Sequence, residues 1–171
     1  LTNLFDHTPS DMLWNDYYNH ANEPVHFVPF LFNQLDVPWY TQKWTRYICK
    51  NAYANKVEGI VGNEDVGQMS AWYIFNTMGF YPTAPSSNVY NLGSPGLAAV
   101  DMKMSNGKHL RMTTGNWSAR NVFVKEVYLN GKKYDKSYIT YNDIKDGADL
   151  HFVMSSRPNY KRGVAERAVP P

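Results

Sequence analysis

Apolar residues recur at helical spacing along the first half of the chain and at strand spacing along the second. Thr8, Pro9, Ser10 and Asp11 form a helix-start signal, with Thr8 as N-cap, Pro9 at the first helical position and an acid in the first turn. They predict a helix over Met12 to Tyr18. From Val25 to Leu35 the apolar positions lie nearly all round the helical wheel, which predicts burial among other helices, while Pro29 predicts a kink or a late start. Pro38 opens a third helix, in which Tyr40, Trp44, Tyr47 and Ile48 share a stripe and Lys43, Arg46 and Lys50 lie outside it. A glycine-punctuated segment, Glu58 to Gly67, leads into a fourth, Gln68 to Met78. There Met69, Trp72, Tyr73 and Phe75 are spaced for a helix, and Gly79 is placed to end it.

Pro82, Pro85, Ser86, Ser87 and Asn88 mark a boundary, and beyond it the period becomes two. Val100, Met102 and Met104 alternate with Asp101 and Lys103, and Ser105, Asn106 and Gly107 supply a turn before His109 to Thr113. Val122 to Leu129 and Lys132 to Tyr134 flank Asn130 and Gly131, a strong hairpin signal, and Leu150 to Met154 supplies a last strand. The predicted class is α+β, with a helical part over 1–82, a β-sandwich-like lobe over 83–156 and an extension over 157–171. The outermost strands of a sandwich with so few strands are expected to need partners.

Composition narrows the functions. Seventeen basic and fifteen acidic side chains are intermixed, for a formal net charge of +2, so no block of like charge tracks a phosphate backbone and nucleic acid is not an expected partner. Cys49 is the only cysteine, which excludes an intramolecular disulfide and a cysteine-rich zinc cluster. No run reaches the roughly 18 to 20 apolar residues of a membrane span. Leu1 begins in mid-sequence without a charged or apolar leader, so an export signal and further catalytic residues are expected upstream of it. Aromatic residues make up 15%, among them Trp14, Trp39, Trp44, Trp72 and Trp117; their flat faces suit sugar rings as well as a core.

Two segments concentrate polar groups among apolar ones: Asn19 to His26 and Asn63 to Gln68. In the second, Asn63, Glu64 and Asp65 precede a helix, Gly67 allows close backbone approach and Gln68 offers an amide. The helix terminus favours an ionised carboxylate, which suits a general base. An ordinary helix cap is the commoner role for acids at this position. In the first, Glu23 either caps the turn that Pro24 begins or binds a hard cation together with carbonyl oxygens. The five histidines show no HExxH spacing, and GxSxG, GxxxxGK, GxGxxG and EF-hand patterns are absent. Cys49 lies within the third helical pattern, as a packing residue does, and Asn116, Trp117 and Ser118 form a glycosylation sequon.

The run Gly62-Asn63-Glu64-Asp65-Val66-Gly67-Gln68-Met69-Ser70-Ala71-Trp72-Tyr73, continued by Gly79-Phe80-Tyr81-Pro82, resembles glycoside hydrolase family 92, the calcium-dependent inverting exo-α-mannosidases. Asn22-Glu23-Pro24 with His26 and Pro29, Leu92-Gly93-Ser94-Pro95, and Leu129-Asn130-Gly131-Lys132 with Ser137-Tyr138-Ile139-Thr140 agree in order and separation. The resemblance covers about Phe5 to Met154. It implies that the helices belong to an incomplete (α/α)6 barrel, that Ca2+ is the cofactor and that mannose-containing glycans are the substrates. By position, Asp65 is the base that activates water, with Asn63 in support. Some members carry an aspartate where Asn63 stands, and an amide orients water without taking its proton. The resemblance also places Asn22 and Glu23 near the calcium, and Glu64, His26 and Trp72 near the sugar. It puts the general acid before Leu1, in a missing upstream part of the parent chain, so the isolated chain is expected to be inactive. The parent is expected in the periplasm or outside the cell. The mechanism implied is single displacement across carboxyl groups roughly 6.5 to 9.5 Å apart. A non-catalytic carbohydrate-binding module and a purely structural lobe are the competing readings.

Overall fold

The structure is a computed structural model that describes residues 1–164 and 170. A short helix, α1 (Thr2–Asp6), opens the chain. The helix expected over Met12 to Tyr18 does not form. The Thr8 hydroxyl donates back to the Leu4 carbonyl at 2.8 Å and accepts the Tyr18 N–H at 3.2 Å, so it closes a loop instead of capping a helix. The Asn15 side chain accepts the Tyr17 N–H at 2.6 Å and donates to the Leu13 and Tyr18 carbonyls, and Met12 takes φ 52°. Such local side-chain bonds compete with a helical ladder, and here they win.

The apolar stretch that follows is broken, as Pro29 predicts: tight 3-10 turns at Glu23–Val25 and Val28–Phe30, then a single turn, α2 (Leu31–Gln34). Pro24 and Pro29 donate no N–H, so only short turns fit. Helix α3 (Pro38–Asn51) follows the expected stripe, burying Trp44 and Ile48. Arg46, outside that stripe, is partly buried and donates to the carbonyls of Pro95 and Ser118 in the β-lobe. Burial pushes the Cys49 thiol up to about 12, which keeps it protonated and unreactive. Helix α4 (Gln68–Met78) ends as predicted at Gly79, whose φ of 97° lets its N–H return to the Phe75 and Asn76 carbonyls.

Among the described residues eight strands follow: β1 (Phe80–Tyr81), β2 (Val89–Leu92), β3 (Ala99–Lys103), β4 (His109–Gly115), β5 (Phe123–Leu129), β6 (Lys132–Lys133), β7 (Tyr138–Thr140) and, after the single helical turn α5 (Tyr141–Ile144), β8 (Ala148–Ser155). Both expected hairpins are present, β3 with β4 and β5 with β6, the latter turning on Asn130 at φ 51° and Gly131 at φ 75°. Strand β8 lies between them, antiparallel to β5 and parallel to β4, giving the order β3-β4-β8-β5-β6. A second sheet, β1-β2-β7, joins residues on both sides of the proline-marked boundary. Leu110, Met112, Val127, Leu150 and Phe152 of the larger sheet share one core with Phe80, Leu92 and Ile139 of the smaller.

The helical part has its own core around Phe5, Tyr18, Phe32, Trp44 and Trp72. Helix α4 serves both cores, Trp72 in one and Met78 in the other. Buried polar side chains tie the parts: Asn33 donates to the Leu92 and Ser137 carbonyls at 2.9 and 3.2 Å, and Gln42 accepts the Val124 N–H at 2.9 Å. Of the expected extension 157–171, Tyr160 packs edge-on against Trp39, and Arg162 donates to the Lys136 carbonyl at 2.8 Å; residues 165–169 and 171 lie outside the described residues.

Candidate active site

The two polar segments singled out in the sequence are neighbours in space, and glycine is the reason. A Cβ on Gly62 would lie 2.7 Å from the Cβ of Ala21 and 3.3 Å from its Cα. Only glycine allows the backbone before Asn63 to press against the backbone before Asn22. Asp65, Val66 and Gly67 then take φ values of 53°, 57° and 91°, three successive left-handed residues that swing the loop into α4. A β-branched residue in this region is strained by about 1 to 3 kcal/mol, and such strain is characteristic of functional loops.

The first N–H groups of α4 are all taken. Gln68 N–H goes to the Asp65 carbonyl and Met69 N–H to the Glu64 carbonyl, both at 3.2 Å, and Ala71 N–H goes to the Gly67 carbonyl at 2.9 Å. The Glu64 carboxylate accepts the Ser70 N–H at 3.1 Å and the Ser70 hydroxyl at 3.0 Å. Glu64 is thus the helix cap, and the carboxyl group of Asp65 is left free of capping. It faces Glu23. Partial desolvation first, then a hydrogen bond and repulsion from the Glu23 carboxyl, with a smaller contribution from Glu64, raise Asp65 above the usual aspartate range.

Beside this pair, His26 is buried and held from three sides. Its Nε2 donates to the His20 carbonyl at 3.0 Å, its Nδ1 accepts from Gln68 Nε2 at 3.1 Å, and its own carbonyl accepts from Trp72 Nε1 at 3.0 Å. The second hydrogen of the Gln68 amide goes to Tyr81 Oη at 2.9 Å. Behind it the His20 ring stacks on His26 with centroids 4.5 Å apart, between Tyr18 Oη at Nδ1 and Tyr53 Oη at Nε2, both at 2.8 Å. Tyr53 Oη donates onward to the Met69 carbonyl at 2.9 Å, so it accepts from His20, which makes Nε2 the protonated nitrogen of His20.

Of the residues expected at the site, Asp65, Glu23, Asn22 and His26 come together here. Asn22 is half-buried at the start of the Glu23 turn, and Asn63 is exposed on the loop. Glu64 spends both carboxylate oxygens on Ser70. Trp72, expected at the sugar, is 0% exposed; its N–H donates to the His26 carbonyl and its ring packs behind the site against His20, His26 and Tyr81. Tyr18, Tyr53 and Tyr81 were missed by the reading of polar segments. Tyr81 could have been found in the Gly79-Phe80-Tyr81-Pro82 string; for Tyr53 no local signal exists, because its role depends on a partner 33 residues away.

For a metal, the facing carboxyls of Glu23 and Asp65 are the relevant donors: two acids that repel one another without a cation between them. Among the described residues no group of three or more His, Cys, Asp or Glu is placed to hold an ion. Calcium takes roughly six to eight oxygens. The chemistry of these residues therefore fits part of a calcium site, with carbonyl, water or substrate oxygens completing it.

Burial first, and then the adjacent His26 ring, hold the His20 imidazole well below its ordinary 6.5. The unfolded chain takes up this proton on acidification while the folded chain does not. The stabilisation is complete above the unfolded value and is lost as pH falls from there toward the lowered folded value. Thermal melting should therefore show stability falling below about pH 6.5, with a shallower slope in His20→Gln.

Residues 1–156 match the glycosyl hydrolase family 92 catalytic domain, and the chain belongs to that family of glycoside hydrolases. An α-mannosidase of the family from Bacteroides thetaiotaomicron is 59% identical, with a TM-score of 0.88 over 90% of this chain and 21% of its own. The structure of that enzyme with mannoimidazole aligns at a TM-score of 0.89 over 91% of this chain and 20% of its own. An inverting family mannosidase from the same organism is 34% identical, with a TM-score of 0.84 over 90% of this chain and 21% of its own. An uncharacterized secreted glycosidase of Arthroderma benhamiae is 28% identical over 88% of this chain and 20% of its length. The chain thus spans about a fifth of the length of these relatives. Among the described residues no helix is long and apolar enough to cross a membrane.

Proposed function

We propose that this chain is the base-bearing part of a calcium-dependent, inverting exo-α-mannosidase that acts in the periplasm or outside the cell on mannose-containing glycans. In this reading residues 1–82 contribute to an incomplete (α/α)6 barrel, residues 83–156 form the sandwich-like lobe, and the general acid comes from an upstream part of the parent chain. The observation that carries it is the division of labour between adjacent acids: Glu64 caps α4, so Asp65 is free to turn toward Glu23. The likeness to an inverting mannosidase supports the stereochemistry, and the mannoimidazole complex of a relative supports the sugar.

Asp65 takes a proton from water as the water oxygen attacks the anomeric carbon. The carbon–oxygen bond to the leaving group breaks, and the leaving oxygen takes its proton from the acid. The Asn63 amide orients the water. Asn22 and Glu23 would hold calcium, which supplies a positive charge that favours the ionised form of Asp65 and binds sugar hydroxyls. His26, neutral, buried and held by Gln68 and the His20 carbonyl, supports the Glu23 turn from behind. The test is the anomer released by the full-length enzyme from an α-mannoside, followed by proton NMR in the first minutes. β-Mannose should appear first, and chelation should stop the reaction until calcium is restored. Initial α-mannose would overturn the inverting mechanism, and mannose released by residues 1–171 alone would overturn the upstream acid.

A further inference from the structure

Two ties bracket the facing acids. Before Asn22 and Asn63 in their segments, Gly62 presses on Ala21; after Glu23 and Asp65, the side chain of Gln68 reaches His26. The second tie has one workable arrangement. His26 Nε2 donates to the His20 carbonyl at 3.0 Å, so in the neutral ring Nδ1 must accept, and the NH2 end of Gln68 supplies the hydrogen at 3.1 Å. The other amide hydrogen goes to Tyr81 Oη at 2.9 Å, and the Tyr81 ring is stacked on Phe30 with centroids 5.4 Å apart. Turning the amide over would set its oxygen against the lone pair of Nδ1.

The Glu23 turn needs such a tie. It is one 3-10 turn of three residues, none of them buried; Asn22 makes no side-chain cap, and Pro24 has no N–H to give. Its own framework is weak. The Glu23 and Asp65 carboxyls repel one another, which drives the turn away from the base loop unless a group outside the turn holds it. His26, buried, immediately follows the turn. Gln68 opens α4 three positions after Asp65, so a single side chain spans from the base loop to the Glu23 turn.

We propose that Gln68 is a positioning residue: acting through His26, it holds the Glu23 turn at the separation from Asp65 at which the two acids share one divalent cation. This rests on the calcium reading of those acids. The test is calorimetric titration of calcium into the stripped full-length enzyme, with kcat for α-mannosyl fluoride measured at low and at saturating calcium. Gln68→Met keeps the length of the side chain and removes both donated hydrogens. It should weaken calcium about tenfold, and saturating calcium should restore its kcat to within about threefold, which it should not do in Asp65→Asn. Tyr81→Phe keeps the stack on Phe30 and frees one amide hydrogen, so it should weaken calcium about two- to fivefold, and it keeps the test valid if Gln68→Met folds poorly. Calcium affinity within twofold of the unsubstituted enzyme in Tyr81→Phe and in folded Gln68→Met would overturn the positioning role, even if melting temperatures fall. So would a kcat that saturating calcium leaves low. Failure of the unsubstituted enzyme to bind calcium would overturn the underlying reading of Glu23 and Asp65, before any variant is compared.

Discussion

Asp65→Asn in the full-length enzyme should lower kcat about 10²- to 10⁴-fold, with KM nearly unchanged. The substitution removes the proton acceptor and little else. Asparagine adopts the left-handed conformation as readily as aspartate, so the φ of 53° at this position is kept. The backbone carbonyl that accepts the Gln68 N–H remains, and the helix keeps its cap on Glu64. Steady-state kinetics with α-mannosyl fluoride, whose departure requires little acid assistance, isolate the base. A loss of less than about tenfold would remove Asp65 from that role. The neighbouring Glu64 serves as a contrast, because its oxygens are already engaged by Ser70.

The largest stability effect is expected at Trp72, where replacement by alanine should cost about 3 to 5 kcal/mol in denaturant unfolding. The indole is fully buried, and its ring lies against His20, Tyr53 and Tyr81, with centroids 4.4, 6.2 and 6.2 Å away. Its N–H is the donor to the His26 carbonyl. Trp72→Phe separates these contributions. It keeps most of the packing but leaves that buried carbonyl unpaired, at an expected cost of about 1 to 3 kcal/mol. Because His26 lies three residues from Glu23 on the same short turns, the Trp72 variants should also weaken sugar binding. Variants that match the wild type in stability would show that the helical core closes without the indole.

Helix α3, helix α4 and both hairpins were legible in the sequence because each is governed by local signals. Pro38 starts α3, Gly79 ends α4, and Asn130-Gly131 turns β5 into β6. The false helix over Met12 to Tyr18 had comparable local signals. It lost to bonds from Thr8 and Asn15 whose partners are set by the path of the loop. The parallel pairing of β4 with β8 and the sheet β1-β2-β7 were not legible, since pairing between distant strands leaves no periodic trace in either one.

The site divides the same way. Its acids stood in the sequence and the family resemblance singled out Asp65 as the base, but the residues by themselves left Glu64 and Asp65 equivalent: adjacent carboxylates before a helix, either able to cap it. Which one caps depends on side-chain direction, and that follows from the left-handed turn through Asp65, Val66 and Gly67. The approach of Glu23 depends on Gly62 pressing against Ala21. By itself the sequence determined the helix ends, the hairpin turns and the residue types available for chemistry, because these are decided within a few residues of chain. Only the tertiary structure decided which acid is free, which histidine is neutral and which tryptophan is buried. Those properties come from desolvation and hydrogen-bond partners brought together from distant parts of the chain.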